Sequence, residues 1–119
     1  MMKKLIVLAL LLPALMVAQQ QPRDVNYLDE EKLIEAVYYH DNGEISQKGT
    51  FNLSGELHGT WISYDEAGNK VAMGNYENGR KDGKWFFWGA ETLKEVDYDQ
   101  NTIASVQEWK GASRLAVNR

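Results

Sequence analysis

The chain has no cysteine, two prolines and two histidines among its 119 residues. The first absence excludes a disulfide framework and a lipoprotein attachment site, so the fold must hold without covalent staples. His40 and His58 have no cysteine or second histidine at ligand spacing, which leaves no zinc signature. No serine sits in a G-x-S-x-G elbow. Basic residues are also scarce: 13 Lys and Arg stand against 17 Asp and Glu. Nucleic acid and anionic membrane surfaces both require a basic footprint, so neither is expected as a partner, and membrane lipid is set aside with them. The densest basic cluster, Arg80-Lys81 with Lys84, is flanked by Glu77 and Asp82 and reads as a solvated turn.

One long apolar run exists, Leu5–Val17, preceded by Lys3 and Lys4. As a helix it would span only about 20 Å, short of the roughly 30 Å hydrocarbon core, and Pro13 interrupts it. The pattern is that of a secretory signal over residues 1–18, cleaved after Ala18, which predicts an exported protein, periplasmic or secreted. Residues 19–32 carry polar side chains, Pro22 and the triplet Asp29-Glu30-Glu31, and read as a flexible leader. A single β-domain is expected over 33–109, followed by a polar tail at 110–119.

What the chain has in quantity is glycine and aromatic residues at fixed intervals. Gly59-Thr60-Trp61-Ile62-Ser63-Tyr64 returns as Gly83-Lys84-Trp85-Phe86-Phe87-Trp88, 24 residues later. Self-similarity at such a period marks a repeat architecture. Each unit reads strand, turn, strand, turn, with Gly and Asn punctuating the turns. A divergent earlier copy aligns through Tyr39, Gly43, Gly49, Phe51 and Gly55. A degraded last copy places Lys94–Tyr98 where Ala72–Tyr76 stood, after a turn two residues shorter, and Ile103–Trp109 reads as one more edge strand. The fold expected is all-β: stacked antiparallel hairpins from about three repeats, forming an elongated twisted single sheet.

Alternation along a strand puts Trp61 on one face and Ile62 with Tyr64 near the other; likewise Trp85 with Phe87 opposes Phe86 with Trp88. Trp61, Tyr76, Trp85 and Tyr98 are the expected repeat core. Ile62, Tyr64, Phe86 and Trp88 are the expected binding face, rimmed by Glu66, Lys70, Arg80 and Lys84. That face is either open to a partner or covered by the leader or the tail. Gly43, Gly68 and Gly79 are assigned to turns that need positive φ, and Gly49, Gly59, Gly74 and Gly83 to positions that leave room for a ring.

The succession Gly-x-Trp-x-x-Tyr-x-x-x-Gly, Gly-x-Tyr-x-x-Gly and Gly-x-Trp resembles the MORN-type repeat over about residues 38–98. It is closest in style to the bacterial form found in small exported proteins, some labelled antitoxins. The resemblance implies stacked hairpins and a binding or scaffolding role.

One acidic stretch carries metal-like spacing. Asp97, Asp99, Asn101, Ser105 and Glu108 fall at positions 1, 3, 5, 9 and 12 of a calcium loop, but position 6 is Thr102 where glycine belongs. Asn52-Leu53-Ser54 fits a glycosylation sequon, a triplet common by chance. The function expected is a non-catalytic protein-binding or structural module of the cell envelope, with no cofactor, acting on a protein partner or by self-association. The alternatives are a small enzyme or calcium-dependent protein using the Asp97–Glu108 carboxylates, and an antitoxin-like binder of one specific protein.

Overall fold

The computed structural model describes Arg23–Gly111. These residues form eight strands: β1 (Arg23–Leu28), β2 (Leu33–Tyr39), β3 (Ile45–Asn52), β4 (Gly59–Tyr64), β5 (Lys70–Glu77), β6 (Arg80–Trp88), β7 (Thr92–Asp99) and β8 (Thr102–Lys110). All pair antiparallel in one open sheet, in the order of the chain. The all-β, stacked-hairpin architecture expected from the repeat is therefore present. The signal segment expected at 1–18 lies outside the described residues, as do 19–22 and all but the first two residues of the expected tail. The leader does not stay unstructured: its residues 23–28 form β1, in unbroken register with β2 from Arg23↔Tyr38 to Leu28↔Leu33. Val25 and Tyr27 fall opposite Ala36 and Ile34, so the strand carries apolar side chains to the same face as the repeat core.

The core is a ladder in which one ring rests on one glycine. A Cβ at Gly49 would fall inside the Trp61 indole, and one at Gly74 inside that of Trp85. Both tryptophans are buried. Each donates its Nε1–H to a backbone carbonyl of the preceding strand, Trp61 to Thr50 at 2.8 Å and Trp85 to Asn75 at 2.9 Å. Each also meets the aromatic of the Gly-x-aromatic pair edge-on: Phe51 lies 5.2 Å from Trp61, and Tyr76 5.0 Å from Trp85, between ring centroids. Edge-to-face contact at this distance suits the quadrupoles of both rings. Tyr38 and Ala36 complete the first layer, Val96 and Tyr98 the last. All four expected core residues are thus in the ladder, Trp61 and Trp85 buried, Tyr76 and Tyr98 partly so.

Two of the glycines assigned to ring clearance do something else. Gly59 and Gly83 adopt φ of +100° and +74°, and Gly83 has open space where a Cβ would stand. Each lies just before its tryptophan. Around Gly83 the β5–β6 register breaks, with three residues of β6 (83–85) facing Gly74 alone between the pairs Met73↔Phe86 and Asn75↔Asp82. This irregularity lets the strand carry its indole over the neighbouring glycine, and the left-handed backbone it needs is one glycine adopts without strain.

Bulges also recur. Ser46 is the extra residue between Tyr38↔Gln47 and Tyr39↔Ile45, and Val71 the extra residue between Ser63↔Ala72 and Tyr64↔Lys70. The β6–β7 pair has none. The missing bulge and a turn shorter by one residue together account for the shortened last copy. Side chains tie each turn to the next. His40 Nε2 donates to the Tyr64 carbonyl at 2.9 Å, and Asn42 Nδ2 to that of Glu66 at 3.0 Å. Within its own turn, Asp65 accepts from the backbone N–H groups of Ala67 and Asn69. At the opposite end, Asn52 accepts from the backbone of Ser54 and Glu56 and donates to Asn78. The sequon asparagine is thus fully occupied in the folded chain.

Two outcomes follow from this geometry. Trp85→Ala should cost about 3–5 kcal/mol in chemical denaturation. Gly74→Ala should cost about 1–3 kcal/mol by driving the same indole off its seat. Equal stability of Gly74→Ala and wild type would contradict the ladder. The second outcome concerns acid. The Asn69 amide above all, with a further hydrogen bond from the Asn69 side chain and others from Ala67 and Gly68, holds the Asp65 carboxyl below its ordinary value. Its contribution is present above the unfolded carboxyl pKa of about 3.9 and is lost as pH falls through the lower folded value. The difference in melting temperature between wild type and Asp65→Ala should therefore shrink on acidification below about pH 4.

Candidate interaction faces

The register separates the two sides of the sheet. The core side carries the indoles of Trp61 and Trp85. On the other side a row crosses six strands through paired positions: Val37, Lys48, Ile62, Met73, Phe86 and Glu95. Val37, Ile62, Met73 and Phe86 are all half-buried, and Lys48 beside them is exposed. Tyr64, two residues along β4 from Ile62, is half-buried too and gives its carbonyl to His40. Three of the four residues expected on the binding face therefore stand on a partly open aromatic and aliphatic surface.

Trp88 departs from that expectation. It is 6% exposed, stacked on Phe86 at 6.1 Å, and stands opposite Leu93, which in turn stands opposite Trp109. Leu93 is the most deeply buried large side chain. Strand parity assigned Trp88 to the correct side, but the β7–β8 end forms a second small core there, and Trp88 belongs to it. Its Nε1–H has no hydrogen-bond partner among the described residues.

The rim is ionic. Lys84 Nζ lies 2.8 Å from Glu95 and 3.6 Å from Asp97. The Glu95 hydrogen bond, followed by the charge of Asp97, raises the Lys84 pKa above its ordinary value. Its neighbours do not form the solvated turn expected of the basic cluster. Arg80–Trp88 is strand, and Lys81 is half-buried, with its ammonium 5.3 Å from the Trp85 ring centroid and 5.2 Å from that of Tyr98. Cation–π contact with two rings makes Lys81 part of the core's edge. Burial raises the Tyr76 pKa, and the neighbouring Tyr98 adds to the effect.

The calcium-like spacing does not become a calcium-like cluster. Asp97 pairs with Ser105 and contacts Lys84, whereas Glu108 pairs with Lys94, on the other side of the sheet. Asn101 spends its Oδ1 on the Lys81 N–H, and Asp99 pairs with Thr102 at the hairpin end. Among the described residues no group of three or more His, Cys, Asp or Glu is placed to hold a metal. His58 accepts the Asn78 N–H on Nδ1, so both histidines tie turns together.

No protein-family model, no curated protein and no solved structure matches this chain.

One feature was not legible in the sequence reading. On the core side, at the β1 end, a hollow of about 330 Å³ is lined by Arg23, Val25, Ile34, Ala36, Phe51 and Gly55. Val25 and Tyr27 are 56% and 50% exposed. The signal was available in Arg-Asp-Val-Asn-Tyr-Leu, whose alternation continues the face of β2.

Trp88→Ser should therefore destabilise the fold about as much as a core truncation, roughly 3–5 kcal/mol. Ile62→Ser, at a half-open site, should cost clearly less. Denaturant midpoints of the two variants give the order directly, and the reverse order would return Trp88 to the open surface.

Proposed function

We propose that this chain is an exported MORN-like repeat protein that serves as a non-catalytic protein-binding or structural module of the cell envelope. The observation that carries the reading is the row Val37, Ile62, Met73 and Phe86, with Tyr64 beside it: half-buried apolar groups on the sheet side away from the tryptophan ladder. Apart from the Trp88 and Leu93 core at its β7 end, this second surface is only half-buried, unlike the ladder side. Rigid aromatic and aliphatic anchors ringed by charge are the composition of protein interfaces. Lys48, Lys84 and Glu95 supply such a rim. The 24-residue spacing and the stacked hairpins agree with the MORN resemblance, in which repeats bind and scaffold.

The test is affinity purification of the tagged protein from its own host, followed by quantitative binding of each recovered envelope protein. Ile62→Ser with Tyr64→Ser should lower that binding by at least about tenfold, the size of one interface hot spot, while the circular dichroism melt shows the sheet still folded. Unchanged binding in a folded double variant would remove this face as the site.

A further inference from the structure

Of the two edges of the open sheet, β1 is the more regular among the described residues. Edge strands present unpaired N–H and C=O groups, and natural proteins blunt them with bulges, prolines, lysines or covering segments. β8 has such a device: its register with β7 slips between Asp97 and Tyr98, leaving Ala104 as an extra residue, and the strand ends on Lys110. β1 is regular over all six of its pairs and contains neither lysine nor proline. Its Val25 and Tyr27 are among the most exposed large apolar residues described, and Val25 lines the hollow.

We propose that β1 is a self-association edge, pairing antiparallel with β1 of a second copy about a two-fold axis that runs between the two Val25 residues. This deepens the reading of the chain as an interaction module by naming one partner and one surface. Chemistry favours this register over the one centred on Asp24. Centring on Val25 sets Val25 against Val25 of the partner copy, Arg23 against Tyr27, and Asp24 against Asn26. The pairs are apolar on apolar, guanidinium on an aromatic ring, and carboxylate on amide, with no like charges opposed. Centring one residue earlier would set Asp24 against Asp24, which is destabilising. Every second residue of an edge strand turns its backbone groups outward. In the Val25 register the odd residues meet only odd residues and the even only even, so the outward-facing set always meets its counterpart. The core sides of the two sheets then run on as one, and the two hollows flank the axis. The contact is isologous and closes at two copies, whereas β1 on β8 would be heterologous and would form rings or open-ended assemblies.

The absence of cysteine makes the test direct, because a single introduced thiol can cross-link only to its own copy. Val25→Cys should give a disulfide-linked dimer under mild oxidation, while Val106→Cys on the opposite edge should remain monomeric on a non-reducing gel. Sedimentation velocity of the wild type should show a concentration-dependent dimer, and Val25→Arg should weaken it by at least about tenfold by placing two cations face to face. The melt of Val25→Arg should stay near wild type, since the side chain is more than half exposed. A wild type that sediments as a monomer at all concentrations overturns the proposal. So does a dimer that survives Val25→Arg, or one cross-linked through Val106→Cys and not through Val25→Cys. None of these outcomes affects the binding assay on Ile62 and Tyr64, so failure here is distinguishable from failure of the module reading.

Discussion

The constraint on which the sheet depends is the seating of an indole on a glycine in the neighbouring strand. A lone antiparallel sheet has no second layer to bury its core against, so it must cover itself. Here large rings lie down across the sheet. A side chain at Gly49 or Gly74 would occupy the volume of the Trp61 or Trp85 ring. The glycine removes the obstacle, the indole N–H reaches the backbone of that same strand, and a second aromatic closes the edge. Each seat joins consecutive strands, β3 to β4 and β5 to β6, and the repeat is this joint written twice.

The joint explains how much could be read from the sequence. Glycine and tryptophan at matching intervals encode both halves of the contact, so the hairpin succession, the ladder residues and most turns were legible. Less legible was anything decided by coverage or by parity across two strands. Trp88 has the alternation of a surface anchor, and only the arrival of Leu93 and Trp109 opposite it makes the site interior. The calcium spacing is linear, whereas Asp97 and Glu108 are carried to opposite sides of the sheet. Gly59 and Gly83 resemble clearance glycines in their position beside tryptophan, but their backbone angles show that they serve the bend that delivers the ring. β1 was hidden because Pro22 and the acidic triplet at 29–31 make its surroundings look like a polar leader.

The same distinction separates the sheet's two sides as functional surfaces. The core side is specified by close packing, with a hollow where the ladder runs out, beside β1. The other side, apart from Trp88 and Leu93 at the β7 end, is specified more loosely, by half-buried apolar groups with ion pairs around them. Interactions of that kind tolerate substitution in the fold and are free to be shaped by a partner.

The unbroken strand order has a consequence for how the molecule is made. Every strand neighbours only its predecessor and successor in the chain. No strand waits for a distant one, so loop-closure entropy stays small at each step and topology favours rapid folding. A chain of this design can complete its early hairpins while its last strands are still being delivered, adding layers in the order in which they emerge.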